Sequence, residues 1–444
     1  MSTAYVNDDT RLSWGRVVRS HHLIAKPRFV DEIAPALADA SVMGLRALPV
    51  GLGRSYGDSN LNPGGALIDL SKLDRIVAFD TQNGVLRADS GISLSDILRF
   101  SVPRGWFLPT TPGTRFVTLG GSIANDVHGK NHHAAGSVGC SIRRVGLVRS
   151  DRGALELASD IEPELFAATI GGLGLTGVIA WAEIQMVPIV SAYIEQEVLP
   201  FDDLDSFFDI AEASQNTFEH TVAWIDCTAS GRHLGRGLFT RGNWAPEGGL
   251  DAHSDKLKLT MPVDGTPLAF NALSLRVLNT MIRTAQSFKA AESRVHYEPH
   301  LYPLDAIGAW NRLYGRAGFY QYQCIVPPDG RAAIAELLCA IADEGAGSVL
   351  GVLKSFGPKR SPGLLSFPME GFTLAMDFCN AGARTHALFA RLDAIVRAAN
   401  GRLYAAKDGR MPASMFQTSY PEWARFAKQI DPLLTSAFWD RVSQ

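Results

Sequence analysis

Two glycine-containing stretches have the composition of ligand-binding loops. Residues 50–58 read VGLGRSYGD, and residues 112–133 read PGTRFVTLGGSIANDVHGKNHH. Glycine lets the backbone approach a ligand closely because it has no Cβ, and backbone N–H groups beside small residues make a surface for phosphate. Two such loops, roughly 60 residues apart, predict one extended dinucleotide cofactor held by two successive turns.

The second loop ends in a dense polar cluster of His128, Lys130, Asn131, His132 and His133. A histidine and a lysine beside a glycine loop suit contacts with a cofactor or a substrate phosphate, so we predict functional roles for His128 and Lys130. His132 and His133 can equally be loop residues without a ligand. We predict no metal site, because charged lysine is a poor ligand and no set of acidic or cysteine side chains lies nearby.

Apolar periodicity and turn signals predict the elements that must position these loops. Strands are predicted at residues 22–27, 45–50, 66–70, 75–79, 85–88, 143–149, 154–157 and 178–187, and helices at 29–40, 93–102 and 163–170. Beyond a boundary near Ser191, helices are predicted at 203–213, 331–342, 420–429 and 432–442, and strands at 221–226 and 320–326. Short strands with few helices indicate the α+β class rather than a doubly wound sheet.

Composition argues against several classes of protein. The 444-residue chain has a net charge of −3 without a long run of like charge, which disfavours a nucleic-acid-binding protein. Its five cysteines are scattered without a CxxC pair, so we predict neither a zinc site nor a disulfide framework. The same pattern predicts that the protein resides in a reducing compartment. Without a signal peptide or a run of about 18 apolar residues, a cytoplasmic protein is predicted. Peripheral membrane contact through Lys256 and Lys258 stays open.

Residues 172–177, GLGLTG, match the GxGxxG pattern of nicotinamide-binding Rossmann folds. A true fingerprint follows a strand and opens a helix. Here a predicted helix precedes the pattern and a predicted strand follows it, so the context is inverted. We therefore interpret these residues as a tight turn under the cofactor.

Six segments carry a resemblance to a known family: GLGRSYGD, PGTRFVTLGGSIANDVHGKNHHAAGS, GGLGLTG, GFYQYQ, LKSFGP and RLYAAKDGR, in this order. Together they closely resemble the decaprenylphosphoryl-β-D-ribose 2′-oxidase family, part of the vanillyl-alcohol-oxidase superfamily of FAD enzymes. The resemblance implies an α+β, two-domain FAD-linked oxidase. Its PCMH-type FAD-binding domain would comprise residues 1–191 and 402–444, and residues 192–401 would form an inserted antiparallel-sheet substrate domain.

The resemblance also implies a reaction and its partners. FAD would oxidise the 2′-hydroxyl of a polyprenylphosphoryl ribose, a glycosyl-phosphate lipid, to a ketone, with hydride transfer to flavin N5. A separate short-chain NAD(P)H-dependent keto-sugar reductase would reduce the ketone from the other face and complete an epimerisation to arabinose. Two alternatives stay open: an alditol or aldonolactone oxidase that uses oxygen on soluble substrates, and a flavin-holding subunit that docks a reductase.

The resemblance assigns residues to the cofactor. The implied FAD contacts are Gly53, Arg54, Ser55, Tyr56, Gly57, Asp58, Gly113, Thr118, Gly120, Gly121, Asn125, His128, Ile179 and Tyr404. Several flavin oxidases of the superfamily have, at the position of Arg54, a histidine that bonds covalently to the flavin. Arginine cannot form that bond, so we predict non-covalent FAD.

The implied substrate-binding residues are Lys130, Trp224, Gln321, Gln323, Lys354 and Lys407. Lys407 and His128 are the predicted catalytic residues. Lys407 can act as a base with a pKa lowered by burial, or as a cation that stabilises negative charge on the reduced flavin. The alternative to both catalytic roles is that Lys407 forms a surface ion pair with Asp408. Alternation places Gln321 and Gln323 on one face of a strand, which is either a pocket wall or a solvent face.

Two positions depart from the family pattern. Ala375 stands where the family has a cysteine near the flavin, and Thr373 stands where it has an asparagine. Both changes fall on the expected pocket, so the exact sugar and lipid carrier stay open. Ala375 also predicts resistance to inhibitors that attack that cysteine.

Overall fold

The N-terminal region begins with a small mixed sheet. The computed structural model describes residues 5–8, 11–254, 259–265, 272–288, 290–345, 347–348 and 350–444. The first elements are strands β1 (Val6–Asp8), β2 (His22–Ala25), β3 (Ala47–Val50) and β4 (Ala66–Asp69), with helix α1 (Ile33–Val42) between β2 and β3. The strand order is β1-β2-β4-β3, and β4 runs parallel to β2 and β3. Every residue of β4 is buried, as expected where both faces of a parallel sheet are covered.

A second, antiparallel sheet follows. Its region contains strands β5 (Ile76–Asp80), β6 (Val85–Asp89), β7 (Trp106–Phe107), β8 (Ile142–Arg149), β9 (Gly153–Leu157), β10 (Val178–Gln185) and β11 (Val187–Pro188), and helices α2 (Leu94–Ser101), α3 (Leu119–Ala124), α4 (His132–Ala135) and α5 (Pro163–Thr169). The sheet order is β5-β6-β10-β8-β9, and β7 pairs with β11. On β10, Ala182 and Ile184 are buried while Glu183 and Gln185 are partly exposed, so one face packs inward.

The third sheet is the largest in the described part of the chain. Its region contains strands β12 (Tyr193–Phe201), β13 (His220–Ile225), β14 (Gly237–Trp244), β15 (Leu259–Thr260), β16 (Glu292–His296), β17 (Ile307–Gly308), β18 (Phe319–Val326), β19 (Gly351–Phe356), β20 (Gly371–Cys379) and β21 (Arg402–Leu403), and helices α6 (Leu204–Ser214), α7 (Ala272–Ser287), α8 (Tyr297–Leu301), α9 (Arg331–Glu344) and α10 (Ala383–Ala398). The order is β16-β12-β14-β13-β19-β20-β18-β21, and β15 pairs with β17. Phe207, Leu337 and Leu392 of α6, α9 and α10 share a core with Leu353 and Leu374 of the sheet. These helices therefore cover one face, and the other face is available for a site.

The C-terminal segment returns to the first sheet. Helices α11 (Ala413–Ser419), α12 (Trp423–Ala427) and α13 (Ala437–Val442) follow β21. The Ala47 N–H donates to the Leu433 carbonyl at 2.9 Å, so the returning chain extends the edge of β3. Arg441 of α13 pairs with Asp58 at 2.8 Å and with Asp408 at 3.2 Å. The two ends of the chain are thus joined by backbone pairing and by buried charge.

The α+β class is confirmed, and most predicted elements are present within a few residues of their predicted bounds. The final helices are shorter than predicted: residues 420–429 contain only α12, and residues 432–442 contain only α13. Tyr420 precedes Pro421, and the residue before a proline is disfavoured in the helical conformation. The division of the chain into two domains stays a prediction.

The described helices are too short or too polar to cross a membrane. Lys256 and Lys258, considered above for membrane contact, lie outside the described residues.

Candidate active site

A cavity of about 810 Å³ lies between the glycine loops and the third sheet, a volume typical of cofactor pockets. The predicted site residues that line it are Gly53, Arg54, Ser55, Tyr56, Gly113, Thr118, Gly120, Gly121, Asn125, His128, Lys130, Ile179, Trp224, Gln321, Gln323, Lys354, Tyr404 and Lys407. Residues from both ends and the middle of the chain therefore meet at the same cavity.

The first glycine loop leaves the end of β3. Gly53 has a φ of 65°, a left-handed conformation that favours glycine. The Arg54 side chain is fixed by two neighbours: its Nε donates to the Phe116 carbonyl at 3.1 Å, and its guanidinium lies 3.9 Å from the centre of the Trp14 ring. These contacts hold Arg54 against the second loop and close one wall of the cavity.

The second loop passes through the short helix α3. Thr118 caps this helix, and its Oγ1 accepts from the Gly121 N–H at 3.1 Å. A Cβ on Gly51 would lie 2.3 Å from Thr118 Oγ1, and a Cβ on Gly120 would lie 2.8 Å from that of Ser90. Glycine is required at both positions because the neighbouring segments approach too closely for a side chain.

Several buried polar atoms on the cavity wall have no hydrogen-bond partner among the described residues. They are Ser59 Oγ, Asn60 Oδ1 and Nδ2, Ser90 Oγ, Asn125 Oδ1 and His128 Nδ1. An unpaired buried polar group costs about 1–3 kcal/mol, so their clustering indicates a ligand that supplies both donors and acceptors. A flavin dinucleotide has that mixture of groups, and the residues present therefore fit FAD.

The His128 ring is held by aromatic neighbours. It contacts Phe356, Phe367 and Tyr404 at centroid distances of 4.9, 5.5 and 5.3 Å. Burial, reinforced by the positive charge of Lys354, holds the pKa of His128 well below its usual range, so the ring is neutral at physiological pH. Its Nε2 lies 3.0 Å from Nε2 of Gln323, which joins the second loop to the third sheet.

Three lysines on the cavity wall have pKa values well below that of free lysine. Burial lowers the pKa of Lys407 to about 7, that of Lys130 to about 7 and that of Lys354 to about 8. Repulsion from Lys354 adds to the shift of the other two. An appreciable fraction of these amines is therefore unprotonated near neutral pH and can accept a proton.

Lys407 belongs to the cavity wall and not to the surface. Its Nζ lies 3.8 Å from the centre of the Tyr56 ring, and the residue lines the cavity. Asp408 pairs instead with Arg441. The alternative of a surface ion pair between Lys407 and Asp408 is therefore wrong.

Alternation along the third sheet determines which side chains reach the cavity. The cavity-facing residues are Trp224 on β13, Gln321 and Gln323 on β18, Lys354 on β19 and Ala375 on β20. The intervening Tyr322, Leu353 and Leu374 lie in the core under the helices. Gln321 and Gln323 thus form a pocket wall, and the alternative of a solvent face is wrong.

Sequence reasoning missed a buried carboxylate behind Gln321. Asp377 Oδ1 accepts from Gln321 Nε2 at 2.6 Å, and its Oδ2 accepts from the Tyr314 hydroxyl at 3.0 Å. Burial raises the pKa of Asp377 to about 6, although Lys407 opposes the shift. The signal in the sequence was an acidic residue within the apolar run FTLAMDFC, where a buried charge needs partners.

Gly57 and Asp58 do not line the cavity, in contrast to the other predicted cofactor contacts. Asp58 pairs with Arg441 of α13, and a Cβ on Gly57 would overlap the Asp408 carbonyl. The structure therefore places these two residues at the junction between the first loop and the C-terminal segment, where close backbone packing and charge pairing account for them.

His132 and His133 anchor the second loop. The His132 ring stacks on Phe356 at 4.2 Å, and His133 Nε2 lies 2.8 Å from the Phe218 carbonyl. Neither residue lines the cavity, which agrees with the alternative without a ligand, although both lie in α4 and not in a loop.

The GLGLTG segment has the inverted context that its neighbours predicted. It follows α5 and precedes β10, and the Leu173 N–H donates to the Ala124 carbonyl at 2.7 Å. Leu173 and Gly174 line the cavity. These residues form a turn that packs against the end of α3; that the turn lies under the cofactor stays a prediction.

Comparisons with known proteins agree with this geometry. Residues 22–159 match the family described as an FAD binding domain. Decaprenylphosphoryl-β-D-ribose oxidase from Mycolicibacterium smegmatis is 34% identical over 97% of this chain and 97% of its own length. An uncharacterized Streptomyces coelicolor protein is 31% identical over 77% of this chain and 96% of its own. D-arabinono-1,4-lactone oxidase from Eremothecium gossypii is 27% identical over 41% of this chain and 35% of its own. This protein is thus an FAD-dependent oxidoreductase, and the chain belongs to the decaprenylphosphoryl-β-D-ribose oxidase family.

Proposed function

We propose that this protein oxidises the 2′-hydroxyl of a polyprenylphosphoryl ribose, or of a related glycosyl phosphate, to the 2′-keto sugar. The observation that carries the proposal is the cavity that is lined by two glycine loops, three lysines and two glutamines. The glycine loops suit a dinucleotide, whereas the lysines and amides suit a phosphorylated sugar. The substrate named for the mycobacterial relative supports this division.

In this proposal, FAD is bound by the first domain, residues 1–191 and 402–444, through the cavity-lining residues of the two loops together with Ile179 and Tyr404. The substrate domain, residues 192–401, contributes the opposite wall. FAD is held non-covalently, because Arg54 occupies the position of the linking histidine and is engaged with Trp14 and Phe116. When bound, FAD supplies the acceptor, at flavin N5, for the hydride that leaves the sugar carbon.

Side chains of the protein accept the proton and bind the phosphate and the sugar. Lys407, with its lowered pKa, accepts the proton of the 2′-hydroxyl. Lys130 and Lys354 attract the phosphate, and Gln321 and Gln323 bind sugar hydroxyls. Trp224 packs on the sugar or on the lipid stem, in keeping with its place on the cavity wall.

The ketone product requires a second enzyme. We propose that a short-chain NAD(P)H-dependent keto-sugar reductase returns hydride to the opposite face and so completes an epimerisation to arabinose.

We also propose that the protein is cytoplasmic and contacts a membrane peripherally, because the proposed substrate carries a lipid. Leu273, Val277 and Met281 recur every four residues on the exposed side of α7, and Phe288 lies just beyond its end. An exposed apolar stripe of this kind is typical of interaction surfaces.

The test is an absorbance spectrum of the purified protein before and after anaerobic addition of a polyprenylphosphoryl ribose analogue. Flavin bands that bleach on addition, with FAD released by acid precipitation, are the expected result. Bands that stay oxidised with this substrate but bleach with an alditol or an aldonolactone would contradict the proposed substrate. Absence of flavin, with none taken up from added FAD, would contradict the cofactor as well.

A further inference from the structure

We propose that Thr373 fixes the tautomer of His128 through Gln323, so that His128 presents an Nδ1–H donor to the ligand in the cavity. Thr373 is therefore a positioning residue. The nature of the ligand rests on the proposed function, whereas the chain of hydrogen bonds belongs to the protein alone. The chain begins at a backbone carbonyl and ends at His128, a residue that lines the cavity.

The direction of the chain is set at its buried end. The Thr373 hydroxyl donates to the Cys324 carbonyl at 2.9 Å, and a carbonyl oxygen can only accept. A hydroxyl has a single hydrogen, so the second polar contact of Thr373 must be one in which its oxygen accepts. That contact, at 3.3 Å, is with Nε2 of Gln323.

The Gln323 amide is thereby oriented. Its NH₂ group lies toward Thr373, since the amide oxygen has no hydrogen to give. The same nitrogen lies 3.0 Å from Nε2 of His128 and has a second hydrogen to donate. His128 Nε2 must therefore accept, which requires that it carries no proton.

The His128 proton must then be on Nδ1. A neutral imidazole has one N–H, and burial with the nearby charge of Lys354 keeps His128 neutral. His128 Nδ1 is buried without a partner among the described residues, and the residue lines the cavity. The three aromatic contacts of the ring oppose a 180° rotation, which would place Cε1 instead of Nε2 beside Gln323.

The consequence is a division of roles between the two predicted catalytic residues. With Nε2 engaged and Nδ1 protonated, His128 cannot accept the substrate proton, and proton acceptance falls to a lysine. The Nδ1–H group of His128 can donate a hydrogen bond to an acceptor atom of the ligand. Two sources have that chemistry, namely the carbonyl edge of the flavin and an oxygen of the sugar.

The direct test is ¹⁵N NMR of FAD-loaded protein labelled in its histidine rings, with the His128 signals assigned by their loss in His128→Asn. Protonated Nδ1 and unprotonated Nε2 are expected in wild type and in Thr373→Ser, which keeps the hydroxyl. Thr373→Val should give a mixture of tautomers. Gln323→Glu should reverse the tautomer, because a carboxylate can only accept. A wild-type Nε2–H tautomer, or identical spectra for the valine and serine variants, would overturn the proposal.

Kinetic measurements on the same variants distinguish the two acceptors. If the acceptor is on the flavin, Thr373→Val weakens FAD affinity by about tenfold and Thr373→Ser restores it. If the acceptor is a sugar oxygen, FAD affinity is unchanged and the rate of flavin reduction falls by about tenfold instead. No change in either quantity would contradict a ligand role for His128. The NMR result stands even if the protein fails to oxidise a glycosyl phosphate.

Discussion

Lys407 combines enclosure, a lowered pKa and access to the cavity, so the proposed proton transfer depends on it directly. We expect Lys407→Met to slow flavin reduction by at least about 100-fold, because a positioned base contributes that much or more. Anaerobic stopped-flow absorbance measures this rate in protein that still contains FAD. Lys407→Arg is the matched control, since it keeps a cation but cannot accept a proton. Wild-type rates in the arginine variant would favour charge stabilisation over proton acceptance.

The pH dependence of flavin reduction has a definite sign. A base works only when unprotonated, so the rate should rise with pH through about 7, the pKa of Lys407, and then level off. Because the charge of Lys354 lowers the pKa of Lys407, Lys354→Met should shift the profile to higher pH. A profile that falls with pH, or a shift toward lower pH, would contradict this assignment.

Ala375 faces the cavity next to Gln323, its register partner. We expect Ala375→Cys to place a thiol in the cavity that a small electrophile alkylates, and a bound substrate analogue should slow that reaction. Peptide mass spectrometry separates this site from the five native cysteines, and the wild-type protein is the control. Failure of the analogue to protect the new thiol would mean that the substrate lies elsewhere.

Site residues that lie in distinctive short segments could be predicted from the sequence. Residues whose partners are distant in the chain could not. His128, Lys130 and Lys407 lie in distinctive short segments, and all three line the cavity. Asp377 and Tyr314 are 63 residues apart in the chain, and only the folded sheet reveals that they share a hydrogen bond. Arg441 was missed for the same reason, because both of its carboxylate partners are distant in sequence.

At the scale of elements, α7 presents the clearest unexplained surface. We expect Val277→Glu to reduce co-sedimentation of the protein with anionic lipid vesicles, because a charge on the exposed apolar stripe opposes insertion into lipid. Val42→Glu is the matched control, since Val42 is also exposed but lies at the end of α1. Equal loss in both variants would indicate a general charge effect and not a surface on α7.

Elements with strong local signals were predicted well. The hairpin of β5 and β6 follows from its Asn-Gly turn, and the start of α2 follows from Ser93, whose side chain accepts from the Asp96 N–H at 3.0 Å. The order of strands in the third sheet was not predictable, because neighbours such as β13 and β19 are separated by more than a hundred residues. No local pattern specifies such a pairing.

At the scale of the whole molecule, Arg441 joins the C-terminal helix to the first glycine loop and to the segment that carries Lys407. We expect Arg441→Ala to destabilise the protein by about 3–5 kcal/mol, because it leaves two buried carboxylates without their cationic partner. Arg425→Ala is the control: Arg425 pairs with Glu164 and Glu422 on the surface, and such pairs contribute at most about 1 kcal/mol. Chemical denaturation of both variants measures the difference, and equal losses would contradict a special role for Arg441.

The return of the C-terminal segment to β3 has a consequence for biosynthesis. Tyr404 and Lys407 are translated long after Gly53 and Arg54, yet all four residues line the same cavity. The segment that carries Lys407 must therefore leave the ribosome before the pocket is complete. Flavin loading accordingly follows the synthesis of Lys407, and products that terminate before this residue lack the complete pocket.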